Sequence, residues 1–417
     1  MKRLWIILLS LTCFKTFSQD TLKLALTDVE AIFLKNNALL LAQKYNIEAS
    51  KAQIIQARLW DNPTFSGEQQ IYNQETRTPL PLGNMGQRAF QIQQLFLLAG
   101  KRNKQIELAK INTEASEYNY YDLLRTLAIE LRTNFYDTYF IIKSVAMYDE
   151  EILTFQKLLV AYEEQYGKGN IPLKEVIRLK AFLFSLKKEQ NELRQQIIEK
   201  QSTLRTLLNT KETLFIAPKI DEKVLDSLGI NDLTLAQLTA TAFENRYDLK
   251  MQDASVRYEK ENLLLQKAMA TPDLRLGYSY DRNGSFIPNY HAITLQIDIP
   301  VFNKNQGNIK TSSFRIEAAQ KTLEQAQTSL QNDVLSAFMK VQENNRLAQS
   351  IDSKFIRSFD TLIEGAVASY QKRNISLIEF VDFVESYKTS VVELNALKSD
   401  RMRSIEELNF VVGKKVL

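Results

Sequence analysis

Residues able to carry reaction chemistry are few and far apart in this 417-residue chain. His291 is the only histidine and Cys13 the only cysteine, so the two cannot build a soft-metal cluster. Glycine-rich phosphate loops and zinc-hydrolase spacings are absent. The carboxylates are scattered along helical stretches, and no pair stands out as a general acid and base. Neither an enzyme activity, a cofactor nor a metal site is expected, and His291 reads as an ordinary strand-end residue. One acidic pair has a spacing with a consequence: Glu379 and Asp382, three residues apart, share one face of a helix.

The elements that must position such residues are of two kinds. Between Pro272 and Gly307, Leu274, Leu276, Tyr278 and Tyr280 alternate with Arg275, Gly277 and Ser279. Further on, Ile293, Leu295, Ile297 and Ile299 alternate with Thr294, Gln296 and Asp298. A period of two predicts strands with one apolar and one polar face. The turn-rich residues from Asp281 to Asn289 suit a hairpin loop between them. The second kind is long helix. Lys101 to Gln165 contains neither Gly nor Pro, a rod of roughly 100 Å at the helical rise. Leu124, Leu127, Leu131, Phe135, Tyr139 and Ile142 form an apolar stripe along it.

Residues 1–18 have the form of an export signal, with Lys2 and Arg3 before the apolar Leu4–Leu11 and small residues at Thr16 and Ser18, which predicts cleavage near Ser18/Gln19. Cys13 lacks the small preceding residue of a lipid attachment site. The net charge of +4 includes Lys2, Arg3 and Lys15, so +1 remains after residue 18. With no basic aromatic patch, nucleic acid is not an expected partner. No later run of eighteen apolar residues occurs, which excludes ordinary transmembrane helices and leaves a β-barrel open.

Taken in order, the chain repeats itself. The first repeat, 19–215, reads as a helix over 26–59 with a break near Asn36-Asn37, strands 62–73 and 86–97 around a loop at 74–85, the long helix 101–165 and a helix over 173–208. A linker or equatorial segment at 216–232 follows. The second repeat, 233–417, predicts another broken helix, strands 273–283 and 291–302 around a loop at 284–290, a long helix 308–370 and a last helix 374–410. An offset of 209 places Asn36 on Asn245 and Pro63 on Pro272, and the turn YGKGNIPLKEVIRL is paralleled by YQKRNISLIEFVDF. Four strands cannot close a barrel, and their open edges would be a liability. Three chains would supply twelve strands and leave no edge. The alternative is a periplasmic coiled-coil scaffold or secretion-associated structural protein without channel activity.

The sequence resembles the TolC-like outer-membrane efflux proteins, particularly the heavy-metal branch, over almost the whole chain after the signal. The matching stretches are IEASKAQIIQARLWDNP, QLFLLAGKRNKQIELAK, TPDLRLGYSY, IDIPVFNKNQGNIK and YQKRNISLIEFVDF. The resemblance implies a mixed α/β membrane protein. A homotrimeric twelve-stranded outer-membrane barrel, four strands per chain, would be continued by a long antiparallel α-helical periplasmic tunnel. It also implies a passive exit duct, coupled through a periplasmic adaptor to an inner-membrane efflux pump and surrounded by outer-membrane lipid. The turns at 166–172 and 370–376 would then be the periplasmic tips. In the family motif acidic side chains just after the second turn project into the closing aperture, and Glu379 and Asp382 occupy those positions. A trimer would ring the axis with six carboxylates, attracting cations; otherwise they solvate a helix flank. Gly169 keeps the family's glycine and Pro172 closes that turn, whereas Arg373 replaces the glycine at the second. Arg178 stands where the other repeat has Asp382, either pairing with an acid to hold the tips closed or lying in solvent. Phe286 and Tyr290 either join an aromatic belt or pack the loop.

Overall fold

The computed structural model describes residues 20–82, 86–211, 213–227, 233–283, 287–351, 361–363, 365–370 and 372–417. The predicted signal with Cys13, Phe286 in the second hairpin loop, the linker residues 228–232 and residues 352–360 of the second long helix lie outside them. In chain order β1 (Asp20–Leu24), α1 (Leu26–Asn36) and α2 (Ala38–Arg58) lead to β2 (Thr64–Gln69), β3 (Tyr72–Asn73), β4 (Thr78–Pro79) and β5 (Arg88–Phe96). Next come α3 (Lys101–Gly167), α4 (Leu173–Leu208), β6 (Leu214–Pro218), α5 (Glu222–Ser227), α6 (Leu235–Asn245) and α7 (Tyr247–Met269). The remainder is β7 (Leu274–Asn283), β8 (Pro288–Ile297), α8 (Gln306–Ser350), helical residues 361–363 and 365–370, and α9 (Leu377–Val412).

Both broken helices break at equivalent residues. Asn37 leaves helical geometry at ψ 119°, and its buried side chain donates to the Leu207 carbonyl at 2.8 Å. Arg246, 209 positions later, does the same at ψ 116°, held by Asp248 and by Asp333 at 2.9 Å. In each case the side chain at the break is anchored outside the helix that precedes it.

Two compact units form, Met1–Ala38 with Arg125–Leu238 and Val334–Leu417, and Leu39–Leu124 with Thr239–Asp333. Each draws on both halves of the repeating sequence. The second unit contains an antiparallel sheet of order β2-β5-β7-β8. The β5–β7 pairing joins the two hairpins, and β2 and β8 are the edges. Two strand expectations and the reading of one connecting segment are corrected. The stretch 62–73 is interrupted after Gln69: Asn73 Oδ1 accepts from the Glu75 and Thr76 amides at 3.0 and 3.2 Å, turning Tyr72–Asn73 back onto Thr78–Pro79. The stretch 291–302 is in fact Pro288–Ile297. It begins early because Asn289 accepts a left-handed φ of 56° and lets Pro288 pair with Asn283. It ends early because Pro300 has no amide to donate, while the Val301 amide turns back to the Ile299 carbonyl at 3.0 Å. Ile299 therefore lies past the strand. The segment 216–232 is no simple linker, since β6 pairs in parallel with β1. Buried Gln201 satisfies it from α4, donating to the Ile216 carbonyl at 2.7 Å and accepting from its amide at 2.9 Å.

The first unit is helical. Contacts between Glu163 and Lys180, Asp149 and Arg194, and Asp137 and Lys200 descend α3 as they climb α4, so the two helices are antiparallel. Helix α9 runs back along α3 through Phe380–Phe155, Asn395–Ser144 and Ser399–Asp137. Buried Asp137 accepts from Lys200, Ser399 and Arg403 at 2.7, 2.7 and 2.8 Å, so its burial is compensated.

Candidate functional site

The sheet has two chemically distinct faces, and its register shows that they run across all four strands. Phe65 pairs with Ile92, Ile92 with Tyr278, and Tyr278 with Ile293. One row away, Gln94 pairs with Leu276 and Leu276 with Leu295, and below it Phe96, Leu274 and Ile297 align. Gln94 is the polar interruption, and its side chain donates to the Asp61 carbonyl at 2.8 Å. These apolar side chains are largely exposed, Ile293 at 80%. A patch this continuous marks an interaction surface. Across the sheet lie Ser66, Glu68, Gln91, Gln93, Arg275, Ser279, Thr294 and Gln296, where Gln91 donates to Thr294 Oγ1 at 3.3 Å. Gly277 lies on this side, and a Cβ there would meet Thr294 Oγ1 at 2.5 Å and Gln93 Cγ at 2.7 Å. At the hairpin end of the apolar face, Tyr278 and Tyr280 surround His291, with the Tyr278 hydroxyl 2.5 Å from His291 Nδ1. His291 is thus a partner of two tyrosines. Tyr290 pairs with Asp281 on the polar side and does not join an apolar-face belt.

The two helix turns share one backbone solution. At the first, the Gly169 amide bonds the Tyr166 carbonyl at 2.9 Å and the Asn170 amide bonds the Gln165 carbonyl at 3.0 Å. At the second, Arg373 bonds Tyr370 and Asn374 bonds Ser369, both at 2.9 Å. This is a Schellman closure, which requires a left-handed residue. Gly169 supplies it at φ 76°, and Arg373 adopts φ 60° despite its Cβ. Pro172 then precedes α4 with extended geometry, at φ −76° and ψ 147°.

Glu379 has a local duty. Its Oε2 accepts from the Ser376 amide and hydroxyl, each at 2.8 Å, and its own amide donates to Ser376 Oγ at 3.3 Å, a capping box that starts α9. Those bonds hold its carboxyl below the ordinary value. Asp382 and Arg178 are exposed, and among the described residues no ion pair joins Arg178, Arg373, Glu379 or Asp382 to another side chain. One chain therefore does not bring Arg178 to the acids.

Behind the turns lies an array that sequence reasoning missed. Phe380, 1% exposed, stacks on Tyr370 with centroids 4.4 Å apart and planes 4° from parallel, and on Phe155 at 5.4 Å. Phe182 meets Phe155 edge-on at 4.8 Å, and Tyr162 stacks on Tyr370 with their hydroxyls hydrogen-bonded. The rings come from α3, α4, the helical residues 365–370 and α9. The stacked partners lie 10 to 225 positions apart in sequence, so no local pattern signals the array.

Glu151, one α3 turn from Phe155, is only 8% exposed, and neither carboxylate oxygen has a hydrogen-bond partner among the described residues. Burial pushes its carboxyl up to about 8, with Lys388 opposing and Glu385 and Glu189 reinforcing the rise. Lys388 is committed to Glu189 at 2.7 Å and Glu385 at 2.6 Å. A carboxyl whose folded value lies above its unfolded one favours folding at low pH. That contribution is full below about 4.5 and fades as pH rises through about 8. Glu151→Gln is expected to remove this dependence and to stabilise the helices at pH 8 by about 1–3 kcal/mol. Thermal melts of both proteins at pH 5 and pH 8 measure it; equal pH slopes would refute the assignment.

A family described as outer membrane efflux protein matches residues 32–210 and 238–409. A structure of CusC, solved in work on folding and transmembrane channel formation, superposes with a TM-score of 0.74 at 17% identity, covering 93% of this chain and 92% of that one. A membrane protein from Pseudomonas aeruginosa gives 0.76 at 16% identity, with coverage of 93% and 90%. The Campylobacter jejuni CmeC outer membrane channel gives 0.73 at 14% identity, with coverage of 94% and 87%. Among curated protein sequences none matches.

Proposed function

The chain belongs to the outer membrane efflux protein family, and from that premise we propose that three copies close one duct whose wall is the polar face of the sheet. The protein is an outer-membrane exit duct for tripartite efflux, with four barrel strands and a periplasmic helical part in each chain. Family members are transport conduits. The observation that carries the reading is the four-stranded sheet with one continuous exposed apolar face and two edges, β2 and β8. An edge in lipid would leave its amides and carbonyls unsatisfied, so it must be paired. Pairing β2 of one copy with β8 of the next satisfies both edges and closes twelve strands.

A periplasmic adaptor and an inner-membrane pump complete the path, and selection of cargo belongs to the pump. The helix turns form the inner aperture, with Glu379 and Asp382 contributing its negative charge. The capping box does not compete with this role, because a carboxylate bonded to Ser376 keeps its charge. Detergent-purified protein is expected to migrate as a trimer and to conduct ions in planar bilayers. Monomeric protein without conductance would contradict the duct. Glu379→Gln with Asp382→Asn tests the aperture, since glutamine preserves the capping box while charge is lost. Divalent-cation block is expected to weaken severalfold; unchanged block and conductance would exclude these residues from the constriction.

A further inference from the structure

The apolar face of the sheet ends, on the side where the strands lead into helices, in the row Phe96, Leu274 and Ile297. Trp60 packs edge-on against Phe96 with centroids 6.2 Å apart, which places the indole at the boundary of that face. Over the indole lies Arg102, its guanidinium carbon 4.6 Å from the ring centroid. Arg102 Nε donates to the Arg58 carbonyl at 3.1 Å, which brings these two arginines together. The Arg58 guanidinium is exposed, and neither it nor Arg102 Nη1 has a hydrogen-bond partner among the described residues. The preceding Lys101 is different: it is buried and committed to Asp273 at 2.7 Å. Past β8 the apolar border continues through exposed Ile299, Val301 and Phe302, the last 93% exposed, to exposed Lys304. Three carboxylates stand at this end: Asp61 between Arg58 and β2, Asp273 bonded to Lys101, and Asp298 bonded to Arg275 at 3.5 Å, so Arg58 and Arg102 are the arginines there not taken up by an acid. At the hairpin end of the sheet the charges are mixed, Glu68 and Asp281 standing with Arg88.

We propose that the Arg102–Trp60 stack, with Arg58 beside it, holds the headgroup phosphates of anionic glycerophospholipids at the periplasmic border of the lipid-facing sheet. The inference rests on the outer-membrane reading, which makes the apolar face lipid-facing and the helical end periplasmic. Three physical requirements coincide there. The indole suits the depth where acyl chains give way to headgroups. A guanidinium stacked on it is preorganised, and its remaining donors match phosphate oxygens. The border is continuous with the apolar face, so a lipid seated there keeps its chains against Ile297 and Phe96 while its phosphate reaches the arginines. A zwitterionic headgroup carries its own ammonium and gains little from a second cation.

Trp5 and Trp60 are the only tryptophans, and Trp5 lies in the expected export signal, so the exported protein, carrying Trp5→Phe as a safeguard against uncleaved chain, reports Trp60 alone. The full-length trimer is reconstituted into phosphatidylcholine vesicles containing a minority of brominated phosphatidylglycerol or, in a parallel set, the same fraction of brominated phosphatidylcholine. Quenching of Trp60 is expected to show about a fivefold preference for the anionic lipid per arginine engaged, falling steeply with added salt. The Arg58→Gln, Arg102→Gln protein is expected to insert and lose the preference while still being quenched by both lipids. Equal quenching by the two lipids in the parent protein, or a preference insensitive to salt, would overturn the headgroup assignment and leave the channel reading intact. Absence of quenching by either lipid would place Trp60 outside the bilayer and overturn both. The parent protein's lipid and salt dependence decides the matter even where the double variant does not assemble.

Discussion

Ile293→Arg is expected to deplete the assembled trimer from membranes. Ile293 sits on the apolar face, 80% exposed in the single chain and aligned with Tyr278 and Ile92 on neighbouring strands. In the closed barrel that exposure is to lipid, and an arginine near the bilayer midplane of a barrel costs about 2–4 kcal/mol. Three copies bear the cost together, which is comparable with the whole stability of many domains. Gln296→Lys provides the contrast. It lies on the same strand and on the polar face, so water in the duct solvates the new charge and assembly should be near normal. The fraction of chain migrating as trimer from membrane extracts, with and without heating, measures both. Tolerance of arginine at 293 together with failure at 296 would reverse the faces of the sheet.

Phe380→Ala should loosen the helix turns. The ring is 1% exposed and lies between Tyr370 and Phe155, so truncation removes two stacking partners and leaves a cavity where three helical segments meet. Loss of a buried phenylalanine costs about 3–5 kcal/mol. Because Phe380 follows the second turn by only a few residues, that loss falls on the segments proposed above to form the aperture. The expected result is a lower melting temperature for the helical signal and a raised, noisier single-channel conductance without any partner present. Phe380→Leu, which retains most of the volume, should lie between the two. Unaltered conductance in a protein with a lowered melting temperature would separate the ring array from the aperture and leave it a purely structural core.

Glu379 shows why local and distant features were unequally legible. Its spacing from Ser376 is a capping-box spacing, yet attention to charge alone passes over the hydrogen bonds that hold the carboxylate to its own helix. Tyr290 shows another limit: the aromatic residue is evident, but it fell in the expected loop, and its face was fixed only because β8 begins at Pro288, with Asn289 in a left-handed backbone. Pro300 ended β8 by removing a donor, a signal that the sequence contains and that the apolar alternation through Ile299 masked.

The sequence by itself determined the period-two hairpins, the breaker-free helix over Lys101–Gln165 and the span of α4, because these follow from interactions within a few residues. Only tertiary structure decided that β5 pairs with β7, that β1 pairs with β6 under Gln201, that five aromatic rings converge behind the turns, and that Glu151 is buried with no hydrogen-bond partner among the described residues. The physical reason is that strand partners, ring stacks and desolvation are set by residues tens to hundreds of positions apart. Periodicity states which face of an element is apolar, and only packing states what that face meets.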